Sequence, residues 1–529
     1  MKRGALVATL LALTPGAVWA QEMAASFDRL RTSEGGGGVG SSTRQPAHAE
    51  PVEASSQMAM PGSDLRPTRN EQGGAAVQVD SATRTGVLSL DAVLRSSATH
   101  APAILEAMAK ERAADGKALS ARGAFDLLFE GDASSRLLGY YDGSYVEGQV
   151  TRPLQTNGGA VYGAYRVSRG DFPEYYGDRF TNRLGEVKVG AVFSLMRDRW
   201  IDARRTGVGL ADRDIDLARL DREMVAIGVQ RRAIAAYQDW VAAGQRVAVY
   251  RDLLTLASER QQSIERQIQL GARPDILGTE NRQNIVRRQS LLVRSQQQLE
   301  AAANALSFFL RDANGEPMVP LAEQLPREFP AFDLPPLTRD LGRRVERPDL
   351  DAILVRLDQN EQRRRLAEND MRPRLDLKGE LSKDVGPVGL GGDTKTPTEA
   401  IVGVKFSLPL ERRAARGRIA EAQAEADALR RRRQLIEDQI LVEVNGLAIQ
   451  VQAAEKLAGL AADEAALATR MAEAERRRFT LGVSDFILVN LREEAAADAQ
   501  LRRLDAQYAR SAARAELVAA TVDRDQLGL

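Results

Sequence analysis

Two long stretches without proline constrain this chain more than any other feature. One runs from about Arg197 to about Leu270, with apolar residues at Ile234, Tyr237, Val241, Val247, Tyr250 and Leu254 mostly three or four apart; the other runs from Arg412 to Leu481, with Ile436, Ile440, Val444, Leu447, Val451 and Leu457 on its stripe. Each is ~70 residues, hence ~105 Å at the α-helical rise, too long for a compact domain. Four further helical segments, roughly 87–124, 275–310, 338–372 and 486–525, are about half as long, so two laid end to end match one rod. Segments 275–310 and 338–372 are joined by "EPMVPLAEQLPREFPAFDLPPL" from Glu316. Its prolines cannot continue a helix, which predicts a belt at mid-height.

The chain contains itself twice. "QLGARPDIL" from Gln269 lies over "TLGVSDFIL" from Thr480 at an offset of 480 − 269 = 211, and "VGAVFSL" at Val189 over "VGVKFSL" at Val402 at 402 − 189 = 213. Only two residues are gained or lost across a whole long helix, so one structural unit is duplicated, over 87–336 and 337–529. In each "LG" a glycine after the last apolar residue closes a helix in a left-handed cap. Pro274, or Ser484 with Asp485, then starts the next one, so both rods turn back at their far ends.

The remaining pattern is a strand pair in each unit. In "GEVKVGAVFSL", Val187, Val189, Ala191, Phe193 and Leu195 share one face, and Glu186, Lys188, Gly190 and Ser194 the other with only Val192 apolar; in "RLDLKGEL", Leu375, Leu377 and Leu381 alternate with Arg374, Asp376, Lys378 and Glu380. A barrel wall in lipid around a wet lumen has this alternation, and so does a half-buried soluble sheet. The adjoining giant helices and the export signal favour the barrel, which makes Glu186, Lys188 and Lys405 candidate lumen residues.

Lys2 and Arg3, the apolar run Gly4–Leu13 and "TPGAVWA" ending at Ala20 have the order of a secretory signal peptide over 1–20, with the mature chain starting at Gln21. Residues 21–86 are rich in Gly, Ala, Ser, Gln and Pro and are expected to be disordered. No later stretch approaches eighteen consecutive apolar residues, so a membrane crossing has to be a barrel. The chain has no cysteine, which excludes disulfides and thiolate metal sites. Its net charge is zero and no block of one sign dominates, an argument against nucleic-acid binding.

No catalytic constellation, metal site or cofactor motif emerges, and the chain is read as a non-enzyme without cofactors. The two histidines are His48 in the low-complexity segment and His100 on the first helix. The arginine runs at Arg430 and Arg476 lie among Glu and Asp at helical spacing and are expected to form solvated ion-pair faces.

The order of export signal, "LSLDAVL", strand pair, long helix, "LG" turn, returning helix and "RPDLDA" at Arg347, followed by the same unit with "RPRLDL", "FSLPL" and "LGVSDFIL", resembles the TolC family of outer-membrane efflux proteins over about 87–527. The resemblance implies a mainly α fold of long antiparallel coiled-coil helices plus two strand pairs. Three such chains would form a twelve-stranded outer-membrane β-barrel above a periplasmic α-helical barrel. It further implies the outer membrane of a Gram-negative bacterium, a homotrimer in contact with membrane lipid, a periplasmic adaptor protein, and an inner-membrane transporter of RND, ABC or MFS type. Leu270, Gly271, Leu481 and Gly482 match the tip turns that meet the adaptor. Where some family members narrow the tip with aspartates, this chain has the apolar "FILVNL"; Asp275, Glu280 and Asp485 are the polar groups left to close it. The first strand region is longer than the second, so "GDFPEYYGDRF" is expected to extend an external loop. The function implied is the passive exit duct of a tripartite efflux pump or type I secretion system. The alternatives are a periplasmic adaptor, which would show one hairpin flanked by lipoyl-like and β-barrel segments, and an exported structural coiled coil, which would lack amphipathic strands.

Overall fold

The computed structural model describes residues 86–173, 180–338, 340–388 and 397–529. The expected signal peptide, nearly all of the low-complexity segment and the middle of "GDFPEYYGDRF" lie outside the described residues.

The two rods are single helices. Helix α3 spans Ala203–Gln269, 67 residues, and α6 spans Arg413–Thr480, 68 residues, each about 100 Å at the α-helical rise. The half-length segments are α1 (Leu90–His100) with α2 (Pro102–Arg122), then α4 (Ile276–Leu306), α5 (Pro348–Asn369) and α7 (Phe486–Ala520), with a short α8 (Arg524–Leu527) at the end. Two prolines decide where helix was over-extended in the sequence reading. The residue before a proline is driven out of the helical region. Ala101 (φ −65°, ψ 124°) therefore breaks the first segment before Pro102, and Arg347 (φ −121°, ψ 140°) delays the start of α5 to Pro348.

Helix α3 packs against α1, α2, α4, α5 and α7, while α6 packs against α5 and α7. The main core lies midway along α3, where Ile234, Tyr237, Trp240 and Val241 meet Val93, Leu306, Phe332 and Val518. A second cluster joins Ile440, Val444 and Val451 of α6 to Leu517. Leu457, on the same predicted stripe, is instead exposed. The proline-rich belt crosses at this level. A Cβ on Gly244 of α3 would come within 2.4 Å of Leu325 Cδ1, so a larger residue there would have to displace the Leu325 side chain of the belt.

Among the described residues the β part is one antiparallel sheet of six strands in chain order: β1 (Leu128–Ser135), β2 (Ser144–Pro153), β3 (Ala160–Arg169), β4 (Glu186–Ser194), β5 (Arg374–Asp384) and β6 (Glu399–Ser407). The repeated motif is the last strand of each half, β4 and β6, directly before the long helices. The halves differ in strand number, however: the first contributes four strands where the sequence reading expected a pair. The additional strands escaped notice because glycines and short side chains dilute the alternation of "LFEGDASS" and "SYVEGQVTRP". At the base of the sheet Asp370 accepts from Arg197 (2.6 Å) and Arg418 (3.0 Å), tying the approach to α3 to the first turns of α6.

Candidate functional site

The register fixes what each face of the sheet presents. Phe129 pairs with Val150, Val150 with Gly163, Gly163 with Val189, Val189 with Leu381 and Leu381 with Ala400. Because side chains alternate with period two, these residues and their i ± 2 neighbours occupy one face. That face is apolar along the middle of all six strands, with Arg152, Arg169, Lys383, Ser135 and Ser144 only near strand ends, and it is open: Phe129, Val189, Val402, Val404 and Phe406 are all exposed. The opposite face carries most of the charges and buries four carboxylates of β4 and β5, while Glu130, Asp132, Lys378 and Lys405 on it stay exposed. Glu186, Asp376, Glu380 and Asp384 are each below one-tenth exposed.

The predicted lumen residues Glu186 and Lys188 belong to one network on that face. Arg166 Nη2 donates to Glu186 Oε2 at 2.7 Å, and Lys188 Nζ lies 3.4 Å from Glu380 Oε1 and 3.9 Å from Glu186 Oε1. Glu380 also accepts from Lys378 Nζ at 2.8 Å and from the Tyr162 hydroxyl. Lys405 lies on the same face but is exposed on β6, outside the network. A soluble half-buried sheet places its charges outward; this sheet does the reverse.

Both far ends close as predicted. Gly271 (φ 70°) donates to Ile268 O at 2.9 Å and Ala272 to Gln267 O at 2.8 Å; Gly482 (φ 76°) and Val483 repeat the pattern to Phe479 O at 3.0 Å and Arg478 O at 2.9 Å. These are paired Schellman caps, whose left-handed residue suits glycine. Leu270 and Leu481 project from them, 82% and 77% exposed. The caps that follow depart from the sequence reading, since neither the Asp275 nor the Asp485 side chain caps its helix. The Ser484 hydroxyl turns back to the Glu475 carboxylate instead. Asp275, Glu280 and Asp485 stand exposed at the two turns. Between the hairpins, Ile264, Phe479, Phe486 and Val489 form a small apolar cluster.

Beyond that cluster lies a group the sequence reading missed. Glu493 of α7 accepts from Arg260 of α3, from Arg288 Nη2 of α4 at 3.2 Å, and lies 3.4 Å from Arg476 Nε of α6. Arg288 also donates to Leu253 O at 2.7 Å, and Asn490 accepts from both Arg260 and Asn284. All four hairpin helices thus meet on one buried carboxylate. Burial foremost pulls the Arg260 guanidinium below its ordinary value; Glu493 opposes this, and the neighbouring Arg288 and Arg476 add to it. Arg476 was expected on a solvated face, and its convergence on Glu493 is visible only once the helices pack. The run at Arg430 does form such a face, with Arg430–Asp427 at 2.7 Å and Arg433–Glu437 at 2.8 Å.

Among the described residues no helix is long and apolar enough to cross a membrane, and no cluster of potential metal ligands occurs. Residues 343–521 match the family model described as outer membrane efflux protein. The match to the outer membrane efflux protein family thus lies in the second half of the chain. Its fold is that of the solved outer-membrane channels. VceC of Vibrio cholerae superposes with a TM-score of 0.58 at 15% identity, covering 82% of this chain and 95% of that one. MtrE of Neisseria gonorrhoeae, in its open state, gives 0.57 at 16% over 82% and 88%; CmeC of Campylobacter jejuni gives 0.55 at 15% over 82% and 85%. No curated protein sequence matches the chain. The shared fold includes the doubled hairpins and the sheet of amphipathic strands.

Proposed function

We propose that this protein is the trimeric exit duct of a tripartite efflux pump or type I secretion system, seated in the outer membrane of a Gram-negative bacterium. The observation that carries this reading is the inverted sheet, with exposed apolar side chains on one face and buried carboxylates paired to Arg and Lys on the other. In lipid the apolar face lies against acyl chains, and the charged face lines water. Conduction is passive and needs no catalytic group. The residues facing the passage supply a polar lining with both signs of charge, which selects weakly among solutes. Energy comes from an inner-membrane transporter of the RND, ABC or MFS type through a periplasmic adaptor. Leu270, Gly271, Leu481 and Gly482 are the docking turns, because they offer exposed apolar side chains on rigid caps at the far end of both hairpins.

Gating follows from the same layout. The hairpins α3–α4 and α6–α7 are joined near their tips by the apolar cluster and the Glu493 group. An iris-like opening then moves hairpins against one another, with Asp275, Glu280 and Asp485 at the constriction. A single-hairpin adaptor does not account for two hairpins and a six-stranded sheet, and a structural coiled coil leaves the sheet unexplained. Planar-bilayer conductance of the purified protein together with its native mass tests the reading. Conducting trimers are expected, and a monomer without conductance overturns it.

A further inference from the structure

The six-stranded sheet has two open edges, β1 and β6, whose outward backbone groups have no partner strand among the described residues. A wall in lipid tolerates no open edge, because an unmatched amide or carbonyl there finds no water. We propose that β6 of one copy pairs antiparallel with β1 of the next, with Lys405 opposite Glu130, so that three copies close a wall of 3 × 6 = 18 strands. The proposal rests on the trimeric channel reading above and departs from the twelve strands that the family resemblance implies.

Three observations carry it. First, β1 and β2 continue the wall's chemistry. Phe129, Gly131 and Ala133 lie on the apolar face and Glu130 and Asp132 on the polar one, in unbroken register with β3 and β4. The extra hairpin is therefore wall and not an appendage. An even number of strands per copy also keeps every junction between copies antiparallel.

Second, the stagger of the sheet sets the register. Following paired residues from Leu128 leads to Thr151, Tyr162, Gly190, Glu380 and Ile401. The helix-side end of the wall is Leu128 itself on β1, but on β6 it is Ser407, which lies 407 − 401 = 6 residues beyond that line. Six strands at about 4.8 Å and a tilt of about 35–45° require a displacement of about 20–29 Å, or roughly six to nine residues. The displacement must be even, or the apolar face would turn inward. A shift of six sets Ser407 opposite Leu128 and engages all eight residues of β1; a shift of eight leaves part of β1 unpaired.

Third, the side chains that this register brings together complement one another. Phe406 meets Phe129 on the lipid side, both largely exposed in the single chain. On the lumen side Lys405 meets Glu130. Lys405 stands opposite Asp376 within its own sheet, but Asp376 is engaged by Arg374 Nε at 2.7 Å and by the Ser194 hydroxyl at 3.1 Å. An ion pair across the seam fixes both partner and register.

The chain has no cysteine, so engineered pairs are read without background. The full-length protein carrying Glu130→Cys and Lys405→Cys is to be purified in detergent and oxidised. Native mass and bilayer conductance are measured before oxidation. Covalent dimers and trimers on non-reducing gels are expected for this pair and not for Asp132→Cys with Lys405→Cys, the register displaced by two. Cross-linking of Lys405→Cys with Tyr162→Cys instead would mean that β3 forms the junction and the wall has twelve strands. That outcome, or a conducting trimer with no cross-link in the first pair, overturns the seam while leaving the channel reading intact; a non-conducting monomer overturns both. If the cysteine pair does not assemble, charge reversal decides. Glu130→Lys and Lys405→Glu are each expected to reduce trimer yield several-fold, and the double reversal to restore it. Lack of restoration overturns the pairing.

Discussion

Replacing Glu493 by Gln removes the one carboxylate on which the four hairpin helices converge. Its side chain is 1% exposed, and those of Arg260 and Arg288 are 6% and 2% exposed. The variant therefore strands two guanidiniums away from both water and counter-charge. Arg476 is 41% exposed, so solvent already screens it and its share is discounted. Breaking a buried pair by deleting one partner costs about 3–5 kcal/mol. That loss falls on the contact between α3–α4 and α6–α7, so the tips should open locally before the chain unfolds globally. At about 1.4 kcal/mol per tenfold, hydrogen exchange in peptides covering residues 470–500 should accelerate by about a hundredfold or more, with the mid-level core around Trp240 unchanged. A triple variant, Arg260→Met, Arg288→Met and Glu493→Leu, should recover most of the protection, because apolar replacement of a whole buried ionic group is often neutral or stabilising. If Glu493→Gln leaves exchange within about threefold of the parent, the loss is below about 0.7 kcal/mol. Water or a counter-ion then solvates the arginines, and the argument from burial fails.

Three further outcomes test separate parts of the structure. Asp485→Ala should raise single-channel conductance if its exposed carboxylate helps hold the tip shut; unchanged conductance removes it from the constriction and leaves Asp275 and Glu280 to be tried in turn. Val404→Arg, on the exposed apolar face of β6, should cost up to about 2–4 kcal/mol of barrel stability and reduce heat-resistant assembly, whereas Gly403→Arg on the opposite face should be tolerated better. Equal effects of the two would contradict the assignment of faces. Burial pushes the Tyr237 phenol, which donates to Leu88 O at 2.7 Å, up to about 12 from an ordinary value near 10. Because the folded value is the higher, this contribution to stability is complete below pH 10 and is lost as the pH rises towards 12. Tyr237→Phe should cost about 1 kcal/mol at neutral pH and flatten the alkaline limb of an unfolding profile; an unchanged limb would rule out the burial argument.

The rods, their turns and the duplication were legible from residues because each depends on local rules. Absence of proline lets helix run for nearly seventy residues, and a glycine with positive φ ends it at Gly271 and Gly482. The helix breaks at Ala101 and Arg347 are equally local, set by Pro102 and Pro348. Strands β4 and β5 announced themselves by alternation, and β6 by repeating the motif of β4. Strands β1 and β2 did not, since Gly131 and Gly148 supply no side chain to alternate, and only pairing with β3 shows which face they continue.

Two decisions belonged to the tertiary structure alone. The sequence determined that valines and leucines would share one face of a strand and charges the other, but not which face would be covered. Alternation is symmetric, and only the observed burial of Glu186 and Glu380 beside exposed Val189 and Val404 breaks that symmetry. Likewise Arg260, Arg288, Arg476 and Glu493 sit in charge patterns like those of any solvated helix. Their burial follows from four helices packing at one level, a consequence of long-range geometry that no local spacing encodes.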